Sequence, residues 1–94
     1  VMPHNPLGPI STAACLHLAA SINNFAMLEY SPRHDVERDR DLFPVAPEIE
    51  GTSFPLPTEP GLGVTFDSEA AKDHPFDYWS PPRLFREDGS YTNW

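Results

Sequence analysis

Two ionisable side chains, His4 and Glu29, flank an alanine-rich run in a pattern that could support acid–base chemistry. His4 lies in the turn PHNPLGP, residues 3–9, where prolines prevent both helix and regular strand from continuing. Glu29 lies in FAMLEY, residues 25–30, an otherwise apolar segment in which a carboxylate needs a partner. Imidazole and carboxyl groups are common general acids and bases. The structural alternatives are that His4 braces the turn and that Glu29 pairs with Arg33.

The run ISTAACLHLAASI, residues 10–22, is expected to form the helix between these two residues. Pro9 suits the first helical position, where its missing N–H costs nothing, and Asn23-Asn24 is expected to end the helix. The helical spacing predicts one broad apolar face, made of Ile10, Ala13, Ala14, Cys15, Leu18, Ala19 and Ile22.

A strand end at residues 1–3 and a buried strand at residues 25–30 would complete a β-α-β unit around this helix. In parallel barrels the carboxyl ends of the strands all face one way, toward the active site. His4 and Glu29 are therefore expected on the same face of the protein.

Composition narrows the function classes. The 94 residues include 14 acidic and 6 basic residues and carry a formal charge of −8, which argues against nucleic-acid binding and against anionic membranes. A single cysteine, Cys15, excludes an internal disulfide framework, and no apolar run reaches the ~20 residues that span a bilayer. No cysteine or histidine pair has metal-ligand spacing. The expectation is a cytoplasmic protein in which Cys15 is a small buried residue.

The chain from residue 44 onward contains eight of the 12 prolines and most of the aromatic residues. It predicts an ordered but extended segment with a strand in GLGVTF, a short helix in DSEAAKDH capped by Asp67 or Ser68, and a hairpin around Asp88-Gly89. The charged stretch at residues 31–41 is expected to be a solvated loop. Two alternatives to an enzyme remain: a small binding module, and a proline-rich interaction segment in which PPR and PLPTEP would be polyproline II ligands.

The remaining histidines are given structural or surface roles. His17 lies in the middle of the predicted helix, so it is expected to be structural. His34 belongs to the charged stretch and His74 precedes a proline, so both are expected at the solvated surface.

Three motifs resemble the enolase superfamily, in particular the acid-sugar dehydratases of its mandelate racemase subgroup. They are PHNPLGPISTAACLHLAASINNFAMLE at residues 3–29, PLPTEPGLGV at residues 55–64 and DGSYTNW at residues 88–94. In that family the first motif spans the end of the seventh barrel strand, the following helix and an eighth strand that ends in a glutamate. The galactonate dehydratases are the most similar group by these motifs.

The resemblance implies a fold of the α/β class, a modified TIM barrel of the (β/α)7β type with an α+β capping domain. Residues 1–32 would be the end of the barrel: the end of strand 7, helix 7 and strand 8. Residues 33–94 would be a carboxyl-terminal tail that returns to the cap, with Phe76, Tyr78, Trp79, Phe85 and Trp94 as its aromatic anchors. The chain is therefore expected to be the last part of a longer polypeptide.

The implied reaction is the dehydration of an aldonate to its 2-keto-3-deoxy acid through an enediolate. By the family pattern, His4 is the general acid or base and Glu29 hydrogen-bonds the intermediate. The resemblance also implies Mg²⁺, with its three carboxylate ligands outside this chain, so the segment alone is expected to be inactive. The implied partners are the sugar acid, the rest of the barrel and cap, and further copies in a homo-oligomer.

Two alternatives remain open at this point: a racemase or cycloisomerase of the same superfamily, and a non-catalytic member. Related mannonate dehydratases have an aspartate four residues after the histidine. This chain has Gly8 there, which favours a galactonate-like or gluconate-like substrate.

Overall fold

The computed structural model describes residues 1–31, 40–78 and 84–92. Its longest element within these ranges is the helix α1, Pro9–Ser21, which begins at the predicted proline and ends before the Asn23-Asn24 turn. The Thr12 N–H donates to the Gly8 carbonyl at 3.1 Å and so makes the first helical bond. The predicted helix and its start are confirmed.

The buried face of α1 differs from the predicted one. Thr12, Ala13 and Leu16 are buried, whereas Ile10 and Leu18 remain about half exposed. A helix that is apolar on most of its surface gives no single stripe for periodicity to find. The neighbours that cover it within this chain therefore decide which side is buried.

The predicted strand at residues 25–30 is not formed, which corrects the sequence-based expectation. One pair of bonds nevertheless has the pattern of parallel strands: the Val1 nitrogen donates to the Asn24 carbonyl at 2.6 Å, and the Ala26 N–H donates to the Val1 carbonyl at 2.9 Å. These bonds place Val1 opposite Phe25. Residues 1–3 and 25–30 thus run side by side, but in the described chain they have no further strand beside them to make a sheet.

The tail from residue 40 onward contains short elements joined by extended chain. Residues 40–42 are helical, and a 3₁₀ helix spans Ala70–Asp73. The Asp67 carboxylate accepts the N–H groups of Glu69 and Ala70 at 2.9 and 3.0 Å, which confirms the predicted short helix and its cap.

The strand predicted in GLGVTF is reduced to one antiparallel bridge between Val45 and Thr65. Gly61 and Gly63 in this segment have φ of +69° and +67°, a left-handed conformation that interrupts a strand. The strand expectation was therefore wrong for this segment.

The predicted hairpin around Asp88-Gly89 is present. Strand β1, Leu84–Phe85, pairs antiparallel with strand β2, Tyr91–Thr92. Gly89 turns the chain with a φ of +81°, and the Phe85 and Tyr91 rings lie 4.8 Å apart.

Little apolar surface is buried within the described residues, where Ala13 and Leu16 are the buried hydrophobic side chains. The accessible surface is 7729 Å², against about 5,400 Å² expected for a compact protein of this mass. Phe76 is 90% exposed, and Tyr78 and Phe85 are also exposed. The other proposed anchors, Trp79 and Trp94, lie outside the described residues. No helix in the described ranges is long and apolar enough to cross a bilayer.

We expect the isolated 94-residue chain to lack a cooperative thermal transition. Its buried apolar area is too small to offset the conformational entropy lost on ordering the chain. Differential scanning calorimetry and near-ultraviolet circular dichroism would measure this. A sharp transition with equal calorimetric and van't Hoff enthalpies would contradict the expectation.

The hairpin carries a pH-dependent contact. Hydrogen bonds from the Ser90 hydroxyl and then from its backbone N–H lower the pKa of the exposed Asp88 carboxyl below its ordinary value of 3.8. Because the pKa is lowered in the folded state, the contact stabilises the hairpin above pH 3.8, and this stabilisation is lost as the pH falls through the folded-state pKa.

We expect Ser90→Ala to move the pKa of Asp88 back toward 3.8, because it removes the hydroxyl hydrogen bond. A carboxyl-carbon NMR titration would measure this, with Ser53→Ala as the control. Titration of wild-type Asp88 at or above 3.8 would contradict this.

Candidate functional site

The structure brings His4 and Glu29 together. His4 Nδ1 lies 2.7 Å from Glu29 Oε2, within hydrogen-bonding distance. The His4 side chain is 82% exposed and that of Glu29 is 44% exposed, so both remain accessible to a small molecule. The predicted placement of these two residues on one face is therefore confirmed as geometry, while their catalytic roles stay a prediction.

The parallel course of the two segments explains why these residues meet. Val1 lies opposite Phe25, and the Asn5 N–H donates to Glu29 Oε2 at 3.1 Å. The Val1–Phe25 pairing is made by backbone bonds, and the contact of the Asn5 N–H with the Glu29 side chain shows that the two segments are still adjacent at Asn5. Helix α1 returns the chain to the starting end, and the side chains just past the ends of the two segments come together.

Glu29 Oε2 makes two described contacts: it accepts the Asn5 backbone N–H, and it lies 2.7 Å from His4 Nδ1. A carboxylate oxygen is an acceptor only, so a proton shared across this 2.7 Å contact would be carried by His4 Nδ1. The second ring nitrogen, Nε2, is then the one left for proton exchange with another molecule. The alternative partner considered for Glu29, Arg33, lies outside the described residues.

Asn5 and Thr12 form a buried connection beneath this pair that the sequence analysis did not identify. Asn5 is 1% exposed, and its Nδ2 donates to Thr12 Oγ1 at 3.1 Å. Thr12 Oγ1 in turn donates to the Gly8 carbonyl at 3.3 Å. The sequence signal for this connection is an amide residue before the PLG turn and a hydroxyl residue after it, two residue types that often cap helices.

The other histidines of the described chain are separate from this pair. His17 is partly buried in α1, and its Nε2 is buried without a described partner. His74 was expected at the solvated surface, but its side chain is 28% exposed and Nε2 lies 3.7 Å from Asp41 Oδ2. That expectation was wrong because residues 41 and 74 approach each other only through the tertiary path of the tail. His34 lies outside the described residues.

The described residues do not form a metal centre. No group of three or more histidine, cysteine, aspartate or glutamate side chains among them could hold a metal ion. Asp35 and Asp39 of the charged stretch lie outside the described ranges. The residues around His4 and Glu29 offer one carboxylate and one imidazole, which is not the oxygen-rich set that Mg²⁺ requires.

Comparison with known proteins decides the family. A family model described as "Enolase C-terminal domain-like" matches residues 1–71, which include the His4–Glu29 pair and the helix between them. The chain belongs to the enolase C-terminal domain-like family. This enolase-family membership implies that the chain includes part of a TIM-type barrel, while the division at residue 32 into barrel and tail stays a prediction.

Several sugar-acid dehydratases are similar to this enolase-family chain. A D-mannonate dehydratase of Caulobacter vibrioides is 39% identical over 88 residues, which cover 94% of this chain and 21% of the relative. A D-galactonate dehydratase of Xanthomonas axonopodis pv. citri is 36% identical over 101 residues, covering 98% and 26%. A D-galactonate dehydratase family member of Salmonella virchow is 38% identical over 74 residues, covering 77% and 17%. The chain spans about a fifth to a quarter of the length of the first two relatives.

Proposed function

We propose that this chain is the carboxyl-terminal part of a sugar-acid dehydratase in which His4 and Glu29 handle the protons of the reaction. The observation that carries the proposal is the 2.7 Å contact between His4 Nδ1 and Glu29 Oε2 in an accessible position. The names of the relatives, D-mannonate dehydratase and D-galactonate dehydratase, support the reaction class.

The reaction removes one molecule of water from an aldonate. The proton on the carbon next to the carboxylate leaves to a base, and the hydroxyl on the following carbon leaves as water after receiving a proton. The resulting enol takes up a proton at that second carbon, loses the proton of its enol hydroxyl and so becomes the 2-keto-3-deoxy acid. Each step moves a proton at a defined atom, which is the work that a positioned imidazole performs near neutral pH.

His4 is suited to protonate the departing hydroxyl through Nε2. Glu29 holds Nδ1–H, so the ring can give up its Nε2 proton and still keep its hydrogen bond to the carboxylate. The same arrangement also allows Nε2 to accept a proton, which is the base role that the family resemblance leaves open. The other proton-transfer group would come from outside this chain.

Glu29 has a dual task in this proposal. Both of its described contacts use Oε2, and we assign Oε1 to a substrate hydroxyl. A carboxylate oxygen that accepts the Asn5 N–H and lies 2.7 Å from His4 Nδ1 is suited to orient His4. This differs in emphasis from the family resemblance, in which the glutamate acts mainly on the reaction intermediate.

The substrate and the metal are further parts of the proposal. The relatives include enzymes named for mannonate and for galactonate, and Gly8 favours a galactonate-like or gluconate-like acid over mannonate. Magnesium would be held by carboxylates outside this chain, and none of the proton transfers assigned above depends on its geometry.

We expect His4→Asn in the complete protein to lower turnover about 10²–10⁴-fold, because it removes the proton-transferring nitrogen. Folding should change little, since the His4 side chain is 82% exposed. The measurement is formation of 2-keto-3-deoxy acid from a panel of aldonates. His74→Asn is the matched control, because His74 also faces a carboxylate but lies outside the proposed site. Unchanged turnover in His4→Asn on every acid would remove His4 from the mechanism, and epimerised aldonate as product would favour the racemase alternative.

We expect Glu29→Gln to lower turnover on the order of 10²-fold, comparable with the loss of one positioned electrostatic group. The amide keeps the size of the side chain but replaces a charged acceptor with a neutral group. Turnover and the melting temperature should be measured together. A large fall in melting temperature with normal turnover would instead assign Glu29 a structural role.

A further inference from the structure

Asn5 has an unusual combination of burial and contacts for a residue in a surface turn. Its side chain is almost fully buried, while its backbone N–H donates to Glu29 Oε2, an atom of the proposed site. Burying an amide costs free energy unless its polar atoms are paired. Nδ2 is paired with Thr12, whereas Oδ1 has no described partner. Stability alone therefore gives an incomplete reason for an amide side chain at this position.

The backbone of Asn5 links the direction of its N–H to the direction of its side chain. Asn5 precedes Pro6, so its φ and ψ are restricted to the extended region, and φ sets the direction of the N–H relative to the Cα–Cβ bond. A side chain held at one end by Thr12 thus limits the rotation of the peptide that donates to Glu29. This restraint reaches the carboxylate without a direct contact between Thr12 and Glu29.

Thr12 connects the restraint to the first turn of α1. Its hydroxyl accepts from Asn5 Nδ2 and donates to the Gly8 carbonyl, and its own N–H donates to that same carbonyl. Hydrogen-bonded networks in buried surroundings are more rigid than exposed ion pairs. The helix therefore supplies a fixed reference for the position of Asn5.

We propose that Asn5 and Thr12 are positioning residues that fix Glu29 Oε2 where it receives Nδ1–H of His4. The inference rests on the proposed function, because the purpose of this positioning is to hold Nε2 of His4 toward the substrate. Neither residue touches the reacting atoms. Their effect is on the fraction of molecules in which the imidazole has the productive tautomer and orientation.

The test compares two substitutions of Thr12 in the complete protein. Thr12→Val keeps the shape and removes the hydroxyl, whereas Thr12→Ser keeps the hydroxyl. We expect Thr12→Val to lower kcat about 10-fold through misplacement of the pair, with KM within about twofold, because Thr12 makes no substrate contact. Thr12→Ser should restore kcat to near the wild-type value. Ser21→Ala is the control, since the Ser21 hydroxyl donates to the Leu18 carbonyl at the far end of the same helix.

A second readout is independent of turnover. The ¹⁵N chemical shifts of the neutral His4 ring report which nitrogen carries the proton. We expect the Nδ1–H tautomer in the wild type and in Thr12→Ser, and a mixture of tautomers in Thr12→Val. Thr12→Ala replaces Thr12→Val if valine prevents folding.

Two results would overturn the positioning role. One is a wild-type tautomer and kcat in Thr12→Val, and the other is equal impairment in Thr12→Ser and Thr12→Val. A complete protein that dehydrates no aldonate would instead refute the proposed function. The comparison of tautomers would still decide whether Asn5 and Thr12 position the pair.

Discussion

The two contacts of Glu29 Oε2 and the buried Asn5–Thr12 bond beneath them are the constraint on which the described amino-terminal half depends. The Glu29 contacts join the turn before helix α1 to the segment after it, through His4 Nδ1 and the Asn5 N–H. A helix of 13 residues spans about 20 Å, so the returning segment must retrace that length for Glu29 to reach the turn. The backbone bonds that pair Val1 with Phe25 show that it starts this return as a parallel neighbour.

The parts of this arrangement that the sequence predicts are those fixed by local chemistry or by simple topology. Pro9 marks the start of α1 because its ring fits only the first turn, and Asp88-Gly89 marks the hairpin because glycine tolerates its positive φ. His4 and Glu29 were placed on one face because parallel segments joined by a helix end on the same side. None of these inferences required knowledge of a distant contact.

The features that sequence analysis missed depend on contacts between distant parts of the chain. Residues 25–30 have the composition of a buried strand, but a strand also needs a partner on its flank, and the described chain supplies only Val1. The half-burial of His74 beside Asp41 depends on the path of the tail. The Asn5–Thr12 bond was missed for another reason, because both residues are common in turns and helix starts, where their ordinary role is local capping.

The distribution of burial indicates which contact maintains the geometry of the proposed site. The His4–Glu29 pair is exposed, and exposed ion pairs contribute little to stability, so it cannot hold the turn in place by itself. The hydrophobic residues contribute little as well, because Ala13 and Leu16 are the buried ones in the described ranges. The bond between Asn5 and Thr12, by contrast, is buried, and it is anchored to the first turn of α1. The orientation of the exposed pair therefore depends more on this polar contact than on the apolar packing, and apolar residues of α1 such as Ile10 and Leu18 stay about half exposed.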